Sequence, residues 1–323
     1  EKNMKKKTWL MVLCFFLVAC MCFAADGNKK AKGGKQFVVI KSSSIGGTWY
    51  ACGAAYAKLI SDNTNYIAMN SASPGLTNES IKAMSEGKAQ LALADGLAAY
   101  TALKGQAPWN KPQNVRMLFG IWPGVYNIIV NADSKINSFA DLKGKSIATY
   151  VEGELDGVAF LDLLSWAGVT EKNSRIYRIM KNDATRMFID GQADCLIYTF
   201  GHGHSKLKEI STSRKIKFLP TDPALEKKFI EKYPYYTSDK FGSEFGVPDA
   251  QQFISTYFIM CLDTLPEEQA YEFTKVWWEN WGFLEEALPS NVPFINKKDP
   301  KAGVPVPMHP GAERYFKEIG LIK

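Results

Sequence analysis

"FVVIKSSSIGGTWYACGAAYAKLI" occupies Phe37–Ile60, and its order of residue types decides the fold. Phe37–Ile40 is a β-rich apolar run. Ser42, Ser43, Ser44, Gly46, Gly47 and Thr48 interrupt it, and Ala54–Ile60 resumes as a helix-forming stretch. The same order recurs down the chain. Gln90–Ala94 leads into Asp95-Gly96 and a helical pattern, and Ser146–Tyr150 leads through "VEGELDG" into "VAFLDLLSWAG". Cys195–Thr199 leads into the loop "FGHGH". Short apolar runs alternating with helical patterns predict an α/β sheet protein.

Two of these strands share their approach. Ser85–Leu93 ("SEGKAQLAL") and Ile189–Ile197 ("IDGQADCLI") both place an acid and a glycine before the apolar run. Gly87 and Gly191 fit helix C-caps, where a positive φ is cheap only for glycine. This echo suggests two similar lobes rather than a short tandem repeat. In open α/β sheets, ligands bind beyond the carboxyl ends of the strands. That rule gathers Ser42–Tyr50, Asp95–Leu97, Val151–Asp156 and Phe200–His204 around one site. The small residues of the first loop would let a ligand reach N–H groups at a helix N-terminus. Such an end favours negative charge by about 0.3–1 kcal/mol. Trp49 and Tyr50 would add a flat apolar wall. A tight turn with its aromatics in the core is the competing reading of the same residues.

Lys5, Lys6 and Lys7 precede an apolar run from Trp9 to Ala19, which is shorter than the roughly 20 residues a bilayer span requires. A basic start, a short apolar stretch and small residues read as a secretory signal over residues 1–20. Leu17-Val18-Ala19-Cys20 resembles a lipobox, which makes Cys20 the expected lipidation site. Cleavage after Ala24 is the alternative. Residues 21–35, with "DGNKKAKGGK", read as a flexible tether. The whole chain carries 39 basic and 33 acidic residues; residues 1–35 hold eight and two of these, leaving 31 of each sign. The basic excess therefore belongs to the leader and tether, which argues against a nucleic-acid surface. Cys52, Cys195 and Cys261 are widely spaced among apolar neighbours, suiting small buried hydrophobes rather than a disulfide framework or zinc set.

Several chemistries can be weighed. His202 and His204 could meet one metal ion if they alternate along a strand, but a third ligand is not visible nearby. Gly144-Lys145-Ser146 resembles the end of a P-loop, yet Phe139 stands where its first glycine belongs, and the segment precedes its strand. There is no Gly-x-Ser-x-Gly nucleophile elbow. Glu152, Glu154, Asp156 and Asp95 could hold an ammonium or hydroxyl groups; alternatively Asp156 is a helix N-cap and the glutamates sit on a wet rim. Trp122 and Tyr126, in "WPGVY", could wall a cleft. "YEFTKVWWENWGFLEEAL" (Tyr271–Leu288) places Phe273, Trp277, Trp281, Leu284 and Leu288 on one helical face, a core pattern. "YPYYTSDKFG" (Tyr233–Gly242) reads as a surface loop or hinge.

With these motifs in view, the chain resembles TAXI-type TRAP-transporter solute-binding proteins. The resemblance is carried by Gly46-Gly47-Thr48-Trp49-Tyr50, Ser85–Leu93, Asp141–Lys145 ("DLKGK"), Asp190–Asp194, Gly201-His202 and the closing stretch Val306–Phe316 ("VPMHPGAERYF"). It runs in order from about residue 37 to the C-terminus. It implies a two-lobed, type II Venus-flytrap periplasmic-binding-protein fold, each lobe a mixed sheet flanked by helices. Lobe one would be 36–126 plus 246–323, and lobe two 127–245. It also implies a monomeric extracytoplasmic receptor, not an enzyme, that needs no cofactor or metal. This receptor would capture a small polar organic solute (an amino acid, organic acid or related metabolite) and deliver it to a sodium-driven TRAP-type permease; the alternatives are a receptor for an ABC importer and, behind it, a periplasmic metal-dependent hydrolase using His202 and His204. Ligand contacts are expected from Ser43, Ser44, Thr48, Trp49, Tyr50, Thr77, Asp95, Trp122, Glu154, Tyr198 and His202. The chain departs from the family at Ser42–Ile45, Ala94–Leu97 and Glu152–Asp156. The added carboxylates would repel glutamate, which several members take.

Overall fold

A computed structural model describes residues 35–323 except 44, 46, 74–76 and 153. The leader, Cys20, the tether up to residue 34 and Ser44 lie outside the described residues. Among the described residues, ten strands form one mixed sheet in the order β2-β1-β3-β10-β4-β7-β5-β6, with β8 added beside β4 and β9 beside β10. At one end, β1 (Gln36–Lys41) runs parallel to β2 (Tyr66–Ser71) and β3 (Leu91–Ala94). At the other, β5 (Ser146–Thr149) runs parallel to β6 (Arg175–Arg178) and β7 (Cys195–Thr199). Between them lie two long antiparallel strands, β4 (Val115–Asn131) and β10 (Ala250–Leu262), paired from Leu262 opposite Val115 to Phe253 opposite Tyr126. Their near-continuous apolar composition suits burial on both faces. β8 (Ile216–Phe218) and β9 (Thr237–Phe241) complete the edges.

The helices follow the strands as the sequence grammar expects. α1 (Thr48–Asn63), α2 (Thr77–Ser85) and α3 (Gly96–Lys104) surround the first parallel group. α4 (Leu155–Trp166), α5 (Lys181–Ile189), α6 (Ser205–Ser213) and α7 (Pro223–Lys232) surround the second. Gly87 and Gly191 take φ of 71° and 75°, the left-handed conformation expected where a helix hands over to a strand. The aromatic stretch 271–288 becomes two helices, α8 (Glu267–Trp278) and α9 (Trp281–Ala287), broken at Glu279-Asn280. Phe273, Trp277, Leu284 and Leu288 are buried. Trp277 stacks on Phe119 at 5.2 Å between ring centroids. α10 (Pro310–Glu318) closes the chain. Among the described residues, no helix is long and apolar enough to cross a membrane.

The core is divided. One apolar cluster draws on residues 125–253 together with Leu97. Two others draw on residues 38–122 and 258–316. β4 passes from one side to the other at Pro123-Gly124, opposite Thr256 and Ser255 of β10, where the pairing also shifts register. Proline is tolerated at such a bulge, where the ladder is already interrupted. Gly124 is required by close approach: a Cβ there would lie 2.1 Å from the Tyr257 hydroxyl. Cys52, Cys195 and Cys261 are buried free thiols. "YPYYTSDKFG" is less open than its composition suggests: Tyr236 is fully buried, and Thr237–Phe241 forms β9.

Candidate functional site

The strand ends and the helix starts that follow them converge on a cavity of about 380 Å³. A space of this size suits a small metabolite. The loop between β1 and α1 supplies Ser43, Gly47, Thr48 and Trp49. Its serine stretch is tied down from behind: Ser42 Oγ donates to Asn70 Oδ1 at 2.7 Å, and Asn70 Nδ2 donates to the Tyr50 carbonyl at 3.0 Å. Gly47 is the N-cap of α1 and has no side chain to cover the first amides. That helix end therefore presents N–H groups and the positive pole of its dipole. Trp49 packs edge-on against Tyr257 of β10, with centroids 4.8 Å apart.

Asp95 ends β3 and caps α3, its Oδ1 accepting from the Ala98 amide at 2.8 Å. Its other oxygen accepts from the Thr77 hydroxyl. β4 contributes Trp122 and Tyr126 at the crossing between the cores. Tyr150 lies at the end of β5, its hydroxyl sharing a hydrogen bond with Thr199 Oγ1. Just beyond it come Glu154 and Asp156. Glu154 holds the N-cap position of α4 without capping through its side chain, and Asp156 falls in the first turn. Asp156 is thus not the cap; the Tyr236 hydroxyl donates to its Oδ1 instead. Glu152 stays on the rim, 84% exposed and 3.7 Å from Arg178.

From α5 comes Lys181, which donates to the Thr199 carbonyl at 2.8 Å and lies over the rings of Tyr198 and Phe200 at 5.5 and 5.4 Å. The Tyr198 hydroxyl donates to the Ile179 carbonyl at 3.0 Å. His202 and His204 lie beyond β7 in a turn rather than along a strand as the metal reading required. His202 Nδ1 contacts Glu244 Oε1 at 2.9 Å, and its ring stacks on Phe294 at 3.6 Å. His204 caps α6 by accepting from the Lys206 amide at 3.2 Å. Among the described residues, no three His, Cys, Asp or Glu side chains come together as a metal set.

Burial and mutual charge set the protonation states. The Asp156 carboxyl is pushed up to about 8, chiefly by burial, with Asp95 and Glu154 adding to the effect against hydrogen bonds from Tyr236 and Tyr126. Burial also raises Glu154, partly offset by Lys181. Burial lowers Lys181 to about 8, while Glu154 and Asp156 act to keep it charged. His204 falls to about 4, first through burial and then through Lys181 and Lys206, so it is neutral at pH 7. The wall can offer hydrogen bonds, aromatic faces and ionisable groups of both signs.

Of the residues singled out from the sequence, Ser43, Thr48, Trp49, Asp95, Trp122, Glu154, Tyr198 and His202 line the cavity. Thr77 is buried and supports Asp95 from behind, and Tyr50 does not line the wall. Sequence reasoning missed Lys181, Tyr150, Tyr257 and Asn291 as part of it. Lys181 carried a weak signal, because it opens a helix directly after "RIYRIM".

Two cores bridged by two long strands, with a cavity at the helix N-termini, define a two-lobed α/β solute-binding protein. Residues 40–320 match the NMT1-like family, and the chain belongs to this family of periplasmic solute-binding proteins. Such proteins bind small-molecule solutes and work with membrane transporters. Among solved structures, a TctC solute-binding protein from Polaromonas is similar at 14% identity and a TM-score of 0.50, over 80% of this chain and 89% of that one. A Xanthomonas citri protein solved with ATP bound is similar at 10% identity and a TM-score of 0.51, over 88% and 95%. A Streptococcus mutans structure, described with glutathione import via GshT and the cystine ABC importer TcyBC, is similar at 15% and 0.50, over 82% and 99%. At these identities the likeness is one of fold.

Proposed function

We propose that this chain is the extracytoplasmic receptor of a TAXI-type TRAP transporter. It captures a small polar organic solute between two lobes and passes it unaltered to a sodium-driven permease. The observation that carries this reading is the cavity of about 380 Å³, walled by loops from both sides of the divided core. In this reading lobe one is 36–126 plus 246–323 and lobe two 127–245, although the apolar cores group Val125, Tyr126, Val247 and Phe253 with lobe two. A ligand touching both walls stabilises the closed arrangement because it makes its full set of contacts only there. Ser43, Thr48, Trp49, Asp95, Trp122, Glu154, Tyr198 and His202 are the proposed contacts, with Lys181 and Tyr257 added from the geometry.

The TRAP assignment rests on the collinear motifs, above all "VPMHPGAERYF" at Val306–Phe316. The fold alone serves an ABC importer equally well, since the similar structures include one described with such an importer. Reconstitution separates the two. A TRAP receptor drives uptake into vesicles with a sodium gradient, whereas an ABC receptor requires ATP. Lipidation of Cys20 tethers the receptor to the membrane in this reading; mass spectrometry of the mature N-terminus checks it. The receptor function itself is tested by native mass spectrometry of protein purified without refolding. One equivalent of a small molecule, released chemically intact, is expected. A solute consumed on incubation would overturn the reading.

A further inference from the structure

We propose that Trp122 and Asn291 form a neutral hydrogen-bonding subsite that sets the receptor's specificity. It takes an uncharged group of the solute that accepts and donates at once, a carboxamide or an alcohol, and discriminates against a carboxylate in the same place. The inference deepens the receptor reading and rests on it.

Both side chains are buried, polar and unpaired. Trp122 is 2% exposed and Asn291 5%, and both line the cavity. Neither makes a side-chain hydrogen bond among the described residues. Asn291 holds the N-cap position of the single 3₁₀ turn Val292–Phe294 without capping it through its side chain. Buried indole N–H and carboxamide groups normally have partners. Trp277 gives the contrast. Its indole nitrogen is sealed inside the core with no partner, whereas the Trp122 nitrogen and the Asn291 carboxamide are not sealed. The open side of both is the cavity they line.

The two groups share one corner. A Cβ on Gly201 would lie 3.4 Å from the Pro123 carbonyl oxygen, and one on Gly203 would lie 2.6 Å from the Ser290 Cβ. The turn after β7 therefore touches the neighbour of Trp122 and the neighbour of Asn291 at once. Val292, which follows Asn291, packs in the same apolar cluster as Trp122. The cavity's carboxylates gather elsewhere. Asp95, Glu154 and Asp156 close a recess with Asn78, Ala98 and Leu155, and neither Trp122 nor Asn291 lines it. Lys181 is held on the Thr199 carbonyl, and His202 is engaged by Glu244 at 2.9 Å.

Trp122 offers one donor; Asn291 offers donors at Nδ2 and an acceptor at Oδ1. An amide edge answers all of these. Its carbonyl oxygen accepts from the indole N–H and from Nδ2, and its own N–H donates to Oδ1. An alcohol does the same through one oxygen. A carboxylate satisfies the donors, but it sets an anionic oxygen against Oδ1 and gains no counter-charge from either residue. Buried groups that await a particular donor reject an analogue lacking it, because the analogue leaves them unpaired. Water can serve both groups in the empty receptor, and the solute displaces it.

Isothermal titration calorimetry on the full chain provides the test, with matched neutral and acidic twins: L-glutamine and L-glutamate, nicotinamide and nicotinate, glucose and gluconate. The tightest binder should be a neutral twin, roughly tenfold or more tighter than its acid. Which pair shows this separates an amide solute from an alcohol. Asn291→Leu has nearly the same shape and removes no side-chain cap. It should bring that ratio to within about threefold of one, whereas a general loosening of the site would weaken both twins alike. Trp122→Phe keeps a ring and removes the N–H; it should weaken the neutral twin about fivefold. Thermal unfolding checks that both variants fold. An acid that binds tighter than every neutral twin, a ratio unchanged in Asn291→Leu, or an affinity unchanged in Trp122→Phe would overturn the inference and leave the receptor reading intact. If none of these probes binds, the solute seen by native mass spectrometry decides. One lacking both amide and alcohol overturns this inference alone; no bound solute at all overturns the receptor reading with it.

Discussion

The two walls of the cavity are built differently. The wall from residues 43–122 and 257–291 is mostly neutral and fitted: Ser43, Thr48, Trp49, Trp122, Tyr257 and Asn291, with Asp95 as its single charge. The wall from residues 126–204 carries Glu154, Asp156, Lys181, His202 and His204. One side supplies shape and aromatic surface from a rigid core, where α1 is pinned through Tyr56, whose hydroxyl donates to the Phe273 carbonyl at 2.9 Å. The other side supplies most of the groups that can change charge. A receptor built this way separates fit from charge selection, so the two should respond differently to mutation and pH.

Changes that break both walls together should have the largest effect. Gly124→Val forces side-chain atoms into the Tyr257 ring at the crossing between the cores. It should destabilise the protein by about 3 kcal/mol, the upper range for overpacking, and abolish binding. Denaturant unfolding measures this, and a loss below about 1 kcal/mol would mean that the crossing is not rigid. Next comes the fitted wall alone. Trp49→Ala removes the aromatic face against Tyr257 and should weaken solute binding by about 2 kcal/mol, with the same loss at pH 6 and pH 9.

The charged wall should show itself in the pH dependence of stability. Asp156 rises from 3.8 to about 8 on folding. Its contribution is fully present below pH 4 and is lost as pH climbs toward 8. Lys181 falls from 10.5 to about 8. Its contribution is present above pH 10.5 and is lost as pH falls toward 8. Both groups therefore place the weakest point of the unliganded protein near pH 8. Asp95, Glu154, His204, Tyr126, Tyr150, Tyr236 and Tyr257 also face this pair. Asp156→Asn should flatten the fall between pH 5 and 8 by on the order of 1–2 kcal/mol, less than full linkage because the carboxylate is only half-buried. An unchanged slope in unfolding experiments across that range would remove Asp156 from the account. The smallest effect is expected where the walls touch. Phe294→Ala removes the ring stacked on His202 and should weaken binding by about 0.5–1 kcal/mol.

The sequence made β1, β3, β5 and β7 legible because each leads into a loop of small or polar residues before a helix. It did not show β2, β4, β8 or β10, nor β6, whose "RIYR" has no apolar run, nor β9, whose "TSDKF" is polar and held by pairing with β10. The missing β6 and β10 explain two of the missed site residues. Lys181 reaches the cavity only because β6 ends there. Tyr257 reaches it because β10 runs antiparallel beside β4 and Gly124 leaves room for its ring. Such placements depend on sheet order, which local residue patterns do not encode. Glu154 and Asp156 were visible as candidates, but whether they faced water or the cavity was decided by how α4 docks: Gly157 packs against Tyr150, where a Cβ would lie 2.9 Å from the Tyr150 Cβ.

Hydrogen exchange, compared with and without the co-purified solute, tests the central claim most directly. The account requires slowed exchange in both walls at once, at residues 47–50 and at residues 154–158 and 181–185, with little change at the outer helices 223–232 and 310–318. Protection confined to one wall, or absent from both while the solute is bound, would contradict a molecule gripped between two lobes.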